Sequence, residues 1–313
     1  MNVLLVASRF PWPPYSGDRL RTAIWLDALA PHARATLVSP GGAIPAHAPP
    51  FRFHPARRSL AHGVRAAARV LAQRLPFTTL LTAGWDWDEA IARARREGGP
   101  FDATIVILSR LDPWIRAHAE GFRLLDAIDS LGRNTAERAR AASPLASLLW
   151  RVEADRVARA ETAASAAYDR VLVVSGEESA ELGAVAISNG VVLAPLESRR
   201  RRRFDFAFWG RLSYFANADA ARVLIHDVWP AIRALAPGAS LAIGGSHVPR
   251  DIARHAVRGG IELVSPVRDI AAFARDARIA LVPMRFGSGE STKCLEAAEA
   301  GCALVATAQA LRG

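Results

Sequence analysis

Residues 287–301 read Gly-Ser-Gly-Glu-Ser-Thr-Lys-Cys-Leu-Glu-Ala-Ala-Glu-Ala-Gly and contain the only lysine of the chain, Lys293. The glycines make a loop, Ser291 is placed as an N-cap, and a segment of apolar spacing runs to a stop at Gly301. A run that reads as a strand, 278–282, precedes the loop. Strand, glycine loop and helix in that order are the repeating unit of a parallel sheet. Lys293 falls in the first turn of the helix, where the backbone already carries roughly half a positive charge. Phosphate bound at such an end is the usual neutralising partner. A lysine bent outward into solvent is the ordinary alternative.

The same alternation extends in both directions. In the second part of the chain, strands are expected near 205–209, 240–243, 261–264, 278–282 and 303–306. In the first part they are expected at 3–7, 35–39, 103–108, 123–126 and 171–175, with a short one at 185–187. Helices are expected at about 19–30, 59–74, 86–96 and 147–166. Short β-branched runs between amphipathic stretches indicate parallel sheets covered on both faces. The simplest architecture is two Rossmann-like domains, 1–190 and 204–313, joined by a linker at 191–203. Five arginines at 199–203 read as a solvated charge run within that linker.

Ligands of open parallel sheets bind at the carboxyl ends of the strands. The strand at 205–209 leads into Gly210-Arg211-Leu212-Ser213. If 205–209 and 278–282 are first and fourth strands of a doubly wound sheet, they are neighbours at its switch point. Arg211, Lys293 and a helix N-terminus then converge on one anionic group; a strand-end arginine in solvent is the plain alternative. In the first domain, Pro-Trp-Pro-Pro-Tyr-Ser-Gly-Asp-Arg-Leu-Arg-Thr at 11–22 contains Gly17 alone and lacks the dinucleotide fingerprint. Gly17 can let backbone amides approach a ligand, with Asp18 capping the next helix, or it can form an ordinary Ser-Gly-Asp turn.

With 313 residues and 51% hydrophobic content, the chain can bury the cores of one large or two ordinary domains. Its apolar runs are too short to span a bilayer, and its first residues read as a buried strand rather than a signal peptide. Cys294 and Cys302 show neither metal nor disulfide spacing, which fits a reducing cytoplasm. The net charge of +10 suits nucleic acid, an anionic membrane or a phosphorylated substrate. No zinc-finger or aromatic-basic RNA-binding pattern supports the first of these, so no nucleic-acid partner is expected. At 58–75 one helix face carries Arg58, His62, Arg65 and Arg69, and the opposite face Leu60, Val64, Ala67 and Leu71. This split fits a helix laid over the sheet, or a contact with an anionic membrane through Arg58, Arg65 and Arg69.

Several segments together resemble the family 4 glycosyltransferases, and especially the bacterial exopolysaccharide-associated sugar transferases among them. They are Ser16-Gly17-Asp18-Arg19, Leu125-Asp126-Ala127-Ile128-Asp129-Ser130, Val173-Val174-Ser175 and Ser188-Asn189-Gly190-Val191. Phe208-Trp209-Gly210-Arg211-Leu212 follows, then Val282-Pro283-Met284-Arg285-Phe286-Gly287 running into Lys293-Cys294-Leu295-Glu296-Ala297. The resemblance implies an α/β chain of GT-B fold, two Rossmann-like domains facing a central cleft. The implied activity is transfer of a sugar, of hexosyl type, from a nucleotide sugar to a hydroxyl of a glycan or lipid-linked acceptor. The family usually retains anomeric configuration and uses no metal held by the fold, so no cofactor is expected.

By the same resemblance Arg211 and Lys293 grip the donor diphosphate, Glu296 bonds the ribose, and Gly289 and Arg268 belong to the donor loops. Gly17 belongs to the loop that closes over donor and acceptor, and Asp126 and Asp129 sit on the acceptor side; helix capping is the alternative for both. The family's first motif glutamate falls at Ser288, with Glu290 two residues late, and a basic residue common in the family falls at Ala216. Relatives continue beyond the strand at 303–306, so a truncated, incomplete donor domain is expected. The implied setting is the cytoplasm, at the inner face of the plasma membrane. The alternative is an inactive nucleotide-sugar-binding protein.

Overall fold

The computed structural model describes residues 1–14, 16–190, 201–287 and 289–312. Two compact units divide the chain, Met1–Ser188 and Asn189–Gly313. Most of the expected linker, residues 191–200, lies outside the described residues.

The first unit is built on seven parallel strands: β1 (Asn2–Ala7), β2 (Arg34–Pro40), β3 (Arg52–Ala56), β4 (Ala103–Ile107), β5 (Phe122–Ile128), β6 (Arg170–Val173) and β7 (Val185–Ala186). Their order is β3-β2-β1-β4-β5-β6-β7. Along β1, Leu4 and Val6 face one apolar core while Val3, Leu5 and Ala7 face the other. Burial on both faces explains the unbroken apolar runs of its central strands. The helices are α1 (Gly17–Leu29), α2 (Leu60–Ala72), α3 (Trp87–Gly98), α4 (Asp112–Ile115), α5 (Leu131–Ala141), α6 (Pro144–Ser165) and α7 (Gly176–Leu182). The edge strand β3 is absent from the sequence-based expectation. Its Phe-His-Pro stretch is only alternately buried, and a proline in a strand marks an edge rather than a centre.

The second unit carries β8 (Phe204–Arg211), β9 (Leu241–Ser246), β10 (Glu262–Val264), β11 (Ala277–Val282) and β12 (Ala303–Ala306). They pair in parallel in the order β10-β9-β8-β11-β12. Its helices are α8 (Phe215–Val223), α9 (Trp229–Leu235), α10 (Arg250–Arg258), α11 (Ile270–Arg275) and α12 (Thr292–Glu299). The first and fourth strands are neighbours, as the doubly wound pattern predicts. The switch point therefore lies between β8 and β11, which pair through Ala207 and Ala280.

Two expectations are corrected. Arg202 is no solvated linker residue: its guanidinium donates to the carbonyls of Ala277 at 2.7 Å, Gly301 at 3.0 Å and Ala300 at 3.2 Å. It supplies donors to the Ala300 and Gly301 carbonyls that α12 leaves unpaired at its end, and to the first residue of β11. Helix α2 also lies the other way round from a helix laid over a sheet by its large apolar face. Ala66 and Val70 are its buried residues, whereas Leu60, Val64 and Leu71 are exposed. Small side chains let the helix sit close to the fold, and the bulky ones are left outside. Among the described residues, no helix is long and apolar enough to cross a membrane.

Candidate functional site

At the carboxyl end of β8 the chain passes through Gly210, with φ 148°. A Cβ there would lie 2.9 Å from Asn217 Nδ2 and 3.1 Å from Lys293 Cε. The strand end thus has no room for a side chain, because the lysine stem passes over it. Lys293 is only 9% exposed, and its Nζ stands 5.9 Å from the centroid of the Phe208 ring. The outward-bent lysine is not what the fold contains. Burial pulls its pKa below the ordinary lysine value, opposed by the field of Glu296 and, less, Cys294. Among the described residues no carboxylate approaches the ammonium within 4.0 Å.

Ser291 occupies the N-cap position of α12, with extended backbone and no side-chain capping bond. One turn inside the helix, Glu296 Oε2 accepts a hydrogen bond from Trp209 Nε1 at 2.6 Å. Desolvation raises the Glu296 pKa; the Trp209 bond and then Lys293 work against that rise. Arg211 follows Gly210 and is exposed, its Nε donating to Ser213 Oγ at 3.0 Å. Its carbonyl accepts from Asn217 Nδ2 at 3.0 Å. Ala216, the position at which the resemblance leads one to expect a basic residue, is completely buried.

The loop before α12 includes Gly289 at φ 68°, a left-handed conformation that favours glycine. It is braced by residues that sequence reading missed. Gln309 Nε2 donates to the Gly287 carbonyl at 2.6 Å, Thr307 Oγ1 donates to the Met284 carbonyl, and Arg285 Nε meets Asp219 Oδ2 at 2.9 Å. Only their polarity within apolar surroundings could have marked them. Arg268 is exposed on the loop between β10 and α11. Its neighbour Val267 donates from its backbone N to the Gly245 carbonyl at 3.1 Å, tying that loop to the end of β9. Glu290 Oε2 accepts from the Asn189 backbone N at 2.9 Å. Arg211, Lys293, Glu296, Gly289 and Arg268 therefore all lie at the carboxyl edge of one sheet.

Gly17, Asp126 and Asp129 belong to the first unit. Gly17 opens α1, and a Cβ on it would touch nothing. The N-cap position is Ser16, whose Oγ donates to Asp18 Oδ1 at 2.6 Å; Asp18 lies in the first turn and does not cap the helix. Asp126 is fully buried, with Oδ2 accepting from Arg21 Nε and Trp25 Nε1, both at 2.7 Å. Its Oδ1 accepts from the Ile128 backbone N at 3.2 Å, at a β-branched residue held at φ 67°. The carboxylate is enclosed by the fold, so Asp126 is withdrawn as an acceptor-side contact. Asp129 is half-buried beyond that turn. A second non-glycine residue with positive φ, Leu108 at 76°, ends the neighbouring strand β4. Strained backbone of this kind is concentrated at functional edges.

Among the described residues, no group of three or more His, Cys, Asp or Glu side chains is placed to hold a metal ion. Cys294 and Cys302 are both free.

Residues 203–312 match the family described as Glycosyl transferases group 1. No curated protein matches the chain. Among solved structures, WaaG, a glycosyltransferase involved in lipopolysaccharide biosynthesis, aligns over 99% of this chain and 81% of its own, at 16% identity and TM-score 0.57. Anabaena Alr3699/HepE, solved with UDP and glucose, aligns over 98% of this chain and 80% of its own, at 11% identity and TM-score 0.62. A S. aureus TarM mutant, solved with fondaparinux, alpha-GlcNAc-glycerol and UDP, aligns over 69% of this chain at 12% identity and TM-score 0.52; the match spans 43% of the TarM chain. With both parallel sheets in place, the protein has the α/β fold of the GT-B glycosyltransferases, and its second unit is similar to glycosyl transferases of group 1.

Proposed function

We propose that the protein is a glycosyltransferase that moves a hexosyl group from a nucleotide sugar to a hydroxyl of a glycan or lipid-linked acceptor. The observation that carries the reading is Lys293, a buried amine with no carboxylate partner among the described residues, in the first turn of α12 beside the switch point. A buried unpaired charge is costly, and an anion supplied by a ligand removes the cost. In the reaction, the bond from the anomeric carbon to the β-phosphate oxygen breaks and the acceptor oxygen bonds that carbon. The hydroxyl proton passes to the departing diphosphate, and the nucleoside diphosphate leaves. Lys293 and Arg211 face the charge that develops on the leaving diphosphate, the kind of stabilisation that is usually the largest catalytic term.

Glu296, aimed by Trp209, takes the ribose hydroxyls, while Gly289 and Arg268 line the donor. Gly17 and Asp129 remain on the acceptor side. The reading includes retention of configuration, no metal or other cofactor, and a role in bacterial polysaccharide or glycolipid synthesis. It places the protein in the cytoplasm at the inner membrane face. UDP bound in the Anabaena and S. aureus proteins makes it the first nucleotide to try.

The test is thermal stabilisation by UDP, GDP and ADP, on this chain and on Lys293→Ala. A shift with one nucleotide that disappears in the variant supports the reading; no shift with any of the three overturns it. A second reading, donor binding without turnover, is favoured by Glu290, whose carboxylate is bonded to the Asn189 backbone. Release of free nucleotide from the matching nucleotide sugar, in the presence of acceptor, separates the two.

A further inference from the structure

Most of the large apolar side chains exposed on the first unit lie on three linked elements, α2, the turn Phe77–Thr82 and α6. On α6, Leu145, Leu148, Leu149 and Val152 are exposed at positions i, i+3, i+4 and i+7, one stripe on one helix face. The next position along the stripe is Arg156, whose guanidinium stacks 4.4 Å from the centroid of the Phe77 ring. Phe77 opens the 3-10 turn Phe77–Thr82, and the turn is fastened to α6 by Glu153. The Glu153 carboxylate accepts from the backbone N of Phe77 at 2.9 Å and of Thr78 at 2.7 Å. This turn packs in turn on α2, whose Leu60, Val64 and Leu71 point outward. Exposure reaches 92% at Leu60 and 87% at Leu145. A patch spread over three elements exceeds the scattered single apolar residues normal on a surface.

Charge selects the occupant. Between 57 and 85 there is no acidic residue, only Arg57, Arg58, Arg65, Arg69 and Arg74. Between 138 and 152 there is again none; beyond it Glu153 is buried and engaged with the turn, and the exposed Asp155 stands beside Arg156 at the far end of the stripe. A second copy docked by two-fold symmetry would bring this arginine-rich patch against itself. An anionic lipid surface instead offers acyl chains to the leucines and phosphates to the arginines.

We infer that α2, the turn Phe77–Thr82 and the first half of α6 together lie in the surface of an anionic bilayer, with the leucines inserted and the arginines at the headgroups. This deepens the membrane-face part of the proposed function and is independent of nucleotide binding. It adds inserted leucines to the contact expected from sequence, which ran through Arg58, Arg65 and Arg69.

The test is co-sedimentation of the full chain with phosphatidylcholine vesicles and with vesicles that also contain phosphatidylglycerol, without nucleotide. Binding to the mixed vesicles only, weakened by salt, is expected. Leu145→Ser with Leu149→Ser, or Leu60→Ser with Leu71→Ser, should weaken it at least about tenfold while the unfolding midpoint stays in place. Arg65→Ser and Arg151→Ser should each cost about fivefold. Failure of the unaltered chain to bind the mixed vesicles at low salt overturns the inference, as does undiminished binding by both double-leucine variants. Sedimentation velocity showing a dimer that these same leucine changes dissociate would assign the patch to a second copy instead. The nucleotide shift, measured without vesicles, stands or falls separately.

Discussion

Trp209 Nε1 donates to Glu296 Oε2 at 2.6 Å, joining the end of β8 to the second turn of α12 across the switch point. The bond uses one carboxylate oxygen and leaves the other directed by the geometry of the first. Trp209→Phe keeps the buried ring and removes the donor. It should lower nucleotide affinity about tenfold and stability by about 1–2 kcal/mol, read by nucleotide titration and denaturant unfolding.

Lys293→Met should make the ligand-free protein more stable, by about 1 kcal/mol, because it replaces a desolvated charge by an apolar chain. The same variant should lose the nucleotide shift. The pH dependence has a definite sign. With its folded pKa depressed, the unaltered protein binds fewer protons at this site than the unfolded chain in the window up to the ordinary lysine value. Its stability therefore rises with pH through that window, and the gap to the variant should close there. A constant gap from neutral to alkaline pH would refute the assignment of burial as the cause.

Glu296 and Glu161 have the opposite sign. Desolvation raises both pKa values. Each contributes stability that is fully present below the ordinary carboxylate range and is lost as pH rises through its folded pKa. In Glu296→Gln this loss should be reduced relative to the unaltered protein, as measured by denaturant unfolding from mildly acid to neutral pH.

Gly210→Ala should destabilise by about 1–3 kcal/mol, since the new methyl meets Asn217 and Lys293 and the backbone stays at φ 148°. It should also weaken nucleotide binding, because the lysine stem must move. A variant as stable as the parent with an unchanged nucleotide shift would count against the packing described.

Arg202→Gln should cost about 2 kcal/mol, because charged hydrogen bonds to three backbone carbonyls go with it. Arg203→Gln should cost no more than about 1 kcal/mol, since its ion pair with Glu262 is exposed on both sides. Parallel unfolding curves for the two variants give the comparison.

The parallel-sheet class and the switch point of the second unit were legible because apolar periodicity reports burial on both faces of a sheet, and the loop into Lys293 had a composition no ordinary turn needs; the edge strand β3 was not. What escaped the sequence was direction. Leu60, Val64 and Leu71 have the spacing of a core face, yet Ala66 and Val70 are what the core accepts. Periodicity shows that a helix is two-sided; whether the small or the large side turns inward depends on how much room the rest of the fold leaves. Asp126 was misread for a related reason. Its partners Arg21 and Trp25 lie on a helix 101 to 105 residues away in sequence, so nothing near it signalled that both its oxygens were taken. Arg202 looked like its four neighbours until the carbonyls of distant helix ends gathered round it.

Because Lys293 is the only lysine, the ε-amines of this protein form a population of one. An amine-directed reagent has a single side-chain target besides the terminal α-amine. The depressed pKa raises the fraction of that target in the neutral, nucleophilic form at a given pH. Because Lys293 is only 9% exposed, acylation there, followed by intact mass against time, reports the opening and occupancy of its site without any engineered label. A ligand that settles its anion there would shield the whole lysine complement of the chain at once.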